Sequence, residues 1–387
     1  MKSGTKCRTI VDALSDEIAA GRYRAPSSFP SAERIVRRFK VSYATAVKAL
    51  DEMKKRGLVY SVVGSGTFVT KTAGRSIGLL APAWSGSDFF PALCHAISAI
   101  CQSRSRPLLF ADTSSDSNEG LGGRLVSLAE SLVSERVSGI LCHPVDFCED
   151  ARAANEAVLG VFRKAGVPVV LLDCDIVPPP GESGYDVVGI DNVAAGWRLG
   201  EHVLSRGARR ILFVSVFMNV SPNAQSRLAG LRDAVAKRRG ARVATFNMPP
   251  GPDGEAELAA CLKRENPDAV VCSSDNVAAV ALKVLRAVGK SVPEDVLVTG
   301  VNDIALATLT DPPLTTIRQP CAAIARVAFE TLERRRKDPD TPPMRVFLPA
   351  PLVARESTAP LVSRKSTASP NRFDVESTNN FQRRTNK

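Results

Sequence analysis

Apolar positions recur along this chain in two rhythms. In residues 9–20 they fall at Ile10, Val11, Leu14 and Ile18, the spacing of one helix face, and Gly21 closes the run. After the turn Phe29-Pro30-Ser31, the apolar residues Ile35, Val36 and Phe39 predict a second helix, which Ser31 can cap and in which Glu33 suits the first turn. Ser42 can cap a third helix, with Ala46, Val47, Ala49, Leu50 and Met53 on its inward side. Gly57 ends it after residues 54–56, whose positive charge suits a helix C-terminus. Residues 58–63 and 67–69, joined through Gly64 and Gly66, read as a glycine-tipped hairpin. Three short helices and a hairpin, with polar residues free at the start of residues 41–50, describe a winged helix-turn-helix (α+β).

From residue 77 the rhythm changes. Apolar strands are predicted over 77–82, 107–111, 137–142 and 167–173, alternating with helices over 89–103, 121–135 and 151–165. Pro178-Pro179-Pro180-Gly181 interrupts the series. A second series places strands at 187–190, 211–216, 243–246, 269–272 and 296–300, with helices at 194–206, 224–239, 255–264 and 277–288. Near-continuous apolar strands alternating with helices imply parallel sheets covered on both faces. Two such series imply an α/β domain of two lobes, with ligand gathered at the carboxyl ends of the strands. The polar residues 71–76 form a linker between this domain and residues 1–70. Residues 359–387 are rich in Ser, Thr, Asn, Arg and Lys and are expected to be disordered.

Charge sharpens this division. The 387 residues carry a net +11, of which residues 1–75 hold +9 (15 Lys/Arg against 6 Asp/Glu) and residues 356–387 hold +3, leaving 76–355 at −1. A basic end on a neutral body fits a phosphate-binding module joined to a domain that does not bind phosphate. No run of 18 apolar residues exists and the N-terminus shows no apolar signal core, so no membrane association and a cytoplasmic location are expected. Nine scattered cysteines without a C-x-x-C pair read as reduced and buried, and His95, His143 and His202 lack ligand spacing, so no metal is expected. No G-x-S-x-G elbow, P-loop or H-E-x-x-H occurs, and neither a catalytic activity nor a cofactor is expected.

Residues 9–70 resemble the DNA-binding domain of GntR-type regulators. The likeness rests on Gly21-Arg22-Tyr23, Phe29-Pro30-Ser31-Ala32-Glu33-Arg34, Val41-Ser42…Thr45…Ala49-Leu50, Gly57-Leu58-Val59 and Gly64…Gly66-Thr67-Phe68-Val69. Phe29 stands where that family usually has Leu and Ser27 where Gly is common, while Tyr43 and Val47 replace frequent arginines, which implies an altered base preference. The candidate DNA contacts are Ser31, Arg34, Arg38, Ser42, Tyr43, Thr45, Lys48 and Gly66. Hydroxyls at helix N-termini suit phosphate oxygens, and Arg and Lys supply charge and can read guanine edges. Capping is an equal alternative for Ser31 and Ser42, as is a plain tight turn for Gly66.

Residues 77–358 resemble the effector domain of LacI/GalR-type repressors, itself similar to type I periplasmic sugar-binding proteins. Val188-Gly189-Ile190-Asp191-Asn192, Arg227-Leu228-Ala229-Gly230, Cys272-Ser273-Ser274-Asp275-Asn276, Val298-Thr299-Gly300-Val301-Asn302-Asp303 and Pro312-Pro313-Leu314-Thr315-Thr316-Ile317-Arg318-Gln319 carry it. That likeness implies a first lobe of about 77–187 plus 300–335 and a second of about 188–299 plus 340–356. It implies effector contacts at Arg227, Asp275, Asn302 and Asp303, and more loosely at Trp84, Asp88 and Phe89. An ion pair is the alternative for Arg227 and Asp275, packing for the last three, and Asp191 and Asn192 are expected to brace a turn. Together the two resemblances imply a homodimeric repressor that binds a double-stranded DNA operator of two half-sites and responds to a small-molecule effector, a sugar. A solute-binding protein without a DNA role is the competing reading. A GntR-type head fused to a pyridoxal-phosphate enzyme is another, which the lobe motifs do not fit.

Overall fold

The computed structural model describes residues 2–19, 22–23, 28–55, 58–62, 65–69, 76–81, 89–112, 120–178 and 180–359. Trp84, Asp88, most of the linker and nearly all of the C-terminal segment expected to be disordered therefore lie outside the described residues.

The head begins with α1 (Lys2–Ala19), which starts seven residues before the apolar periodicity does. It continues through α2 (Ala32–Phe39), α3 (Tyr43–Lys55), β1 (Val59–Val62) and β2 (Gly66–Val69). Ile10, Val11, Leu14 and Ile18 meet Ile35, Ala46, Ala49, Leu50 and Met53 in one core. Phe29, at the position where Leu is usual, belongs to that core, and its ring meets Tyr23 edge-on at 5.1 Å. The two strands pair antiparallel, Tyr60 opposite Phe68 and Val62 opposite Gly66. A further bridge joins Ser28 to Phe68 and so ties the wing to the approach to α2.

The first lobe is wound as β3 (Ile77–Ala81), α4 (Phe89–Ser103), β4 (Leu108–Asp112), α5 (Leu121–Ser134), β5 (Ile140–Cys142), α6 (Ala151–Ala165), β6 (Val169–Leu172) and β7 (Asp186–Ile190). The second comprises α7 (Asn192–Ser205), β8 (Arg210–Ser215), α8 (Pro222–Ala236), β9 (Arg242–Asn247), α9 (Pro252–Glu265), β10 (Ala269–Cys272), α10 (Asp275–Ala287), β11 (Leu297–Asn302), α11 (Leu306–Leu309) and β12 (Thr315–Arg318). The chain then returns through α12 (Cys321–Lys337), β13 (Arg345–Leu348) and β14 (Leu352–Val353), and closes with a 3-10 turn, Glu356–Thr358. Strand order is β13-β7-β6-β5-β3-β4 in one six-stranded sheet and β14-β12-β11-β10-β8-β9 in the other.

This order corrects the expected lobe boundaries. β12 pairs parallel with β11, so residues 300–318 belong to the second lobe, whereas β13 pairs parallel with β7 and belongs to the first. The chain thus crosses between lobes near residues 191, 319–320 and 349–351. Both strands are short sheet additions, and their apolar pattern suits either sheet. What assigns β13 is an ionic hub. The Asp186 carboxylate at the start of β7 is fully buried. It receives the Arg334 guanidinium at 2.7 Å, that of Arg335 at 2.8 Å and the Met344 N–H at 2.8 Å. Breaking such a buried, multiply bonded charge costs about 3–5 kcal/mol, enough to fix an edge strand.

Candidate functional site

On the head, the candidate DNA residues gather at the first turns of α2 and α3 and at the wing tip. Ser31 caps α2, its hydroxyl accepting from the Arg34 N–H at 3.4 Å. Ser42 accepts from the Thr45 N–H at 3.3 Å and shares a 2.8 Å hydrogen bond with the Thr45 hydroxyl. Both serines therefore cap, and capping leaves oxygen lone pairs and exposed side chains for a phosphate. Tyr43 is 59% exposed, and Arg34 and Lys48 are exposed as well. Gly66 turns the wing with φ +111°, and nothing lies within 4 Å of where a Cβ would stand. Arg38 differs from the rest. Its guanidinium pairs with Glu17 on α1, donates to the Tyr23 hydroxyl at 3.4 Å and lies 5.0 Å from the centre of the Phe39 ring. Hydrogen bonding to Arg38 holds the Glu17 carboxyl below its ordinary value despite opposing burial, and the same bond raises Arg38. Arg38 thus ties α2 to α1.

In the effector domain, polar side chains collect where the strands of both sheets end. Asp173 follows β6, His143 follows β5, Asn192 opens α7, Asn223 and Arg227 lie on α8, and Gln319 follows β12; all are buried. The bonds run in a chain. Arg227 Nε donates to Asn192 Oδ1 at 2.7 Å and Nη1 donates to the Ser273 carbonyl at 2.5 Å. Asn192 donates to Asn223 at 2.8 Å, and Asn223 donates across the lobes to Asp173 Oδ2 at 2.6 Å. His143 Nε2 stands 3.7 Å from the same carboxylate oxygen, and its ring meets Phe90 edge-on at 4.2 Å. A second interlobe bond runs from the Ser221 hydroxyl to Asp146 at 2.8 Å.

Backbone contact between α7 and α8 fixes this chain. A Cβ on Gly196 would stand 1.9 Å from the Arg227 carbonyl oxygen, and one on Gly230 would stand 1.9 Å from that of Val193. Only glycine at both positions lets the helices approach so closely and bring Arg227 under Asn192.

Among the described residues, Asp173 Oδ1, His143 Nδ1 and Gln319 Oε1 are buried without a hydrogen-bond partner. Each such atom costs about 1–3 kcal/mol unless water or another polar group completes it, and all three belong to residues of this interlobe cluster. The charges are balanced against this burial. Burial pushes the Asp173 carboxyl up, but the neighbouring His143 ring and Arg227 guanidinium bring it below its ordinary value. Burial raises Asp146 and is only partly opposed by His143 and Ser221, and burial lowers Arg227.

Of the expected effector residues, Arg227 stands in this cluster, and Asn302 lies beside it through Gln319, which donates to Asn302 Oδ1 at 3.0 Å. Asp275 is fully buried in the second lobe and accepts from the Thr316 hydroxyl at 2.6 Å and the Ile304 N–H at 3.0 Å. It makes no ion pair with Arg227, and both residues belong to the same lobe. Asp303 pairs with Arg318, and with Arg355 at 2.6 Å, fastening β12 and the closing segment. Phe89 is 4% exposed in the first-lobe core. Asp191 caps α7 by accepting from the Ala194 N–H at 2.9 Å. Sequence reasoning missed His143, Asp173, Asn223 and Gln319. The available signal was a polar residue directly after an apolar strand, which Asp173 and His143 both show.

Residues 6–69 match the bacterial regulatory proteins of the gntR family, and residues 201–358 match the periplasmic binding protein-like domain. The arabinose metabolism transcriptional repressor of Geobacillus stearothermophilus is 26% identical over 339 residues, covering 83% of this chain and 89% of that protein. The ribose operon repressor of Haemophilus influenzae is 28% identical over 292 residues, covering 73% and 81% respectively. A LacI family transcriptional regulator from Enterococcus faecium, solved with bound ribose, superposes with a TM-score of 0.59 at 26% identity, covering 74% of this chain and 99% of that one. The chain therefore joins a gntR-family winged helix-turn-helix to a LacI-type, periplasmic binding protein-like domain. It is a DNA-binding transcription regulator.

Proposed function

We propose that this regulator is a cytoplasmic, homodimeric repressor of sugar metabolism that binds a two-half-site operator through its heads and a sugar between its lobes. The observation that carries the effector reading is the buried row of unpartnered atoms at Asp173, His143 and Gln319, beside the Asn192–Asn223–Arg227 chain. Sugar hydroxyls both donate and accept, so they can complete acceptors and an imidazole nitrogen at once. Asp275 and Asp303 support this site as scaffold, and Asn302 positions Gln319. The relatives named above are repressors of arabinose and ribose genes, and one neighbour holds ribose, which favours a monosaccharide. Exposed apolar side chains at Leu309, 78% exposed, and at Phe110 on the edge strand β4 suit association of two copies.

On the DNA side, Ser31, Arg34, Ser42, Tyr43, Thr45 and Lys48 supply hydroxyls, charge and one ring at the helix N-termini, and Gly66 brings the wing backbone close. Sugar binding acts on DNA only if the closed and open lobes bind the ligand differently. A thermal-shift screen of the full chain against mono- and oligosaccharides tests the effector reading. A pentose or hexose should raise the melting temperature in proportion to the logarithm of its concentration, and Asp173→Asn should remove that rise. A flat response to every sugar, or a response unchanged in the variant, overturns it.

A further inference from the structure

Two loops face each other across the space between the lobes. One follows β5 and the other joins β8 to α8, so each leaves the carboxyl end of a strand in its own sheet. Along the first, burial falls from His143, Pro144 and Val145 through the half-buried Asp146 and Phe147 to the exposed Glu149. On the second, Ser221 is buried, Phe217 is half-buried and Asn219 is exposed. The loops therefore lie between the buried polar cluster and solvent. Across the gap the Ser221 hydroxyl donates to Asp146 Oδ2 at 2.8 Å, and the Phe147 and Phe217 rings stand 6.3 Å apart between centres at 60°. Deeper in, Asn223 donates to Asp173. All three contacts join side chain to side chain directly, so none needs a ligand as a bridge.

Each loop is also braced on its own lobe. The Asn155 side chain on α6 accepts from the Val145 N–H at 2.8 Å and donates to the Val145 carbonyl at 2.9 Å. In the other loop the Met218 N–H donates to the Asn247 side chain on β9 at 3.0 Å, and the Ser221 N–H donates to the Phe217 carbonyl at 2.8 Å. Loops held in this way are jaws that part when the lobes rotate, not lids that swing alone.

We propose that Asp146 and Phe147 on one loop, with Phe217 and Ser221 on the other, form a clasp that holds the lobes closed in the ligand-free chain, so that an effector entering on this side first has to part it. The inference rests on the effector reading of the cleft and concerns how that cleft is held shut. A hydroxyl donating to a charged acceptor is worth on the order of ten-fold in an equilibrium constant, and the ring contact adds a smaller factor. Closure also has a cost, because burial disfavours the Asp146 carboxylate, and this keeps the clasp openable. Ser221 caps α8, the helix that carries Asn223 and Arg227. Opening the clasp therefore moves two members of the polar cluster with it and joins entry to rearrangement of the site.

Pulsed electron–electron distance measurement on the full chain, without DNA or sugar, tests this. Nitroxides attached through a keto amino acid at the exposed positions Ala153 of α6 and Arg232 of α8 report across the lobes. Dilution with unlabelled chain confines the signal to one copy. A single narrow distance is expected for the parent. Ser221→Gly with Phe217→Ala should shift most of that population to a longer distance, and glycine is tolerated at a helix cap, so α8 stays formed. Asp146→Ala with Phe147→Ala, on the opposite jaw, should give the same shift, and all four changes together should give no more. If one double variant fails to fold, the other still decides. A parent already spread over long distances would overturn the proposal, as would a narrow distance kept in the variants. Shifts that simply add would do the same, since they would come from damage within each lobe and not from a shared contact. No sugar enters this measurement, so its failure is separate from a flat thermal-shift response, which counts against the effector reading itself.

Discussion

Arg34 and Lys48 stand in solvent on the head, whereas Arg227 is 6% exposed and donates to Asn192 and to the Ser273 carbonyl. The same kind of charge is used in two ways. On the head its field must reach phosphates outside the molecule, so it is left hydrated and costs the fold nothing. In the cleft it is dry and must be bonded from several sides, so it becomes part of the fold. Effects on binding and on stability should therefore separate in the head and merge in the cleft.

The largest expected effect is at Arg227. Arg227→Ala leaves Asn192 Oδ1 and the Ser273 carbonyl without their donor and should destabilise the effector domain by about 3–5 kcal/mol in denaturant unfolding. A cost under about 1 kcal/mol would mean that water reaches this network. Gly196→Ala comes next. The added methyl has the Arg227 carbonyl in its place, so the helices must part, at about 1–3 kcal/mol, and sugar binding should weaken together with stability. Stability lost with sugar affinity kept would detach the helix pair from the site.

Two arginines of α2 sharpen the contrast from the other side. Arg34→Ala should leave unfolding within about 0.5 kcal/mol of the parent, weaken operator binding, and lower the slope of log K against log salt by about 1. Arg38→Ala should do the reverse, costing up to about 1 kcal/mol of head stability through loss of the half-exposed pair with Glu17, with the salt slope retained. Equal slopes for both variants would put Arg38 on the phosphates as well.

The smallest expected effect is in pH dependence, and its sign differs between regions. Glu17 has a lowered pKa, so its contribution is present above its ordinary 4.5 and is lost as pH falls through the lowered value. Asp275 is raised by burial, with Thr316 opposing, so its contribution is complete below 3.8 and is lost as pH rises through the raised value. Hydrogen exchange should show Glu17→Gln flattening the acid loss in the head. Asp275→Asn should flatten the loss on the alkaline side around α10. A shared sign in both regions would contradict the assigned causes.

Most of the head was legible because its determinants are local. Apolar spacing and the caps Ser31 and Ser42 fixed α2 and α3 nearly to the residue, and Phe29 packs where a Leu is usual without changing the plan. Helix starts in the body were read two residues late at Asn192, Pro222 and Asp275, because polar first turns carry no apolar signal. The cleft was legible only in part. Of the expected contacts, Arg227 falls within the polar cluster and Asn302 beside it, while Asp275 and Asp303 are bonded within the second lobe.

The sequence by itself determined the two-domain plan, the winged head, the alternation of strand and helix, and the confinement of positive charge to the ends, since each depends on period or composition within a short span. Only the tertiary structure decided which sheet takes β12 and β13, and that His143, Asp173, Asn223, Arg227 and Gln319 meet. Those residues lie as far apart as 143 and 319 in the chain and are neighbours only because strands of two sheets end at one place. The choice of sheet rests on the buried carboxylate of Asp186, whose partners Arg334, Arg335 and Met344 lie about 150 residues further along the chain, beyond the reach of any local pattern.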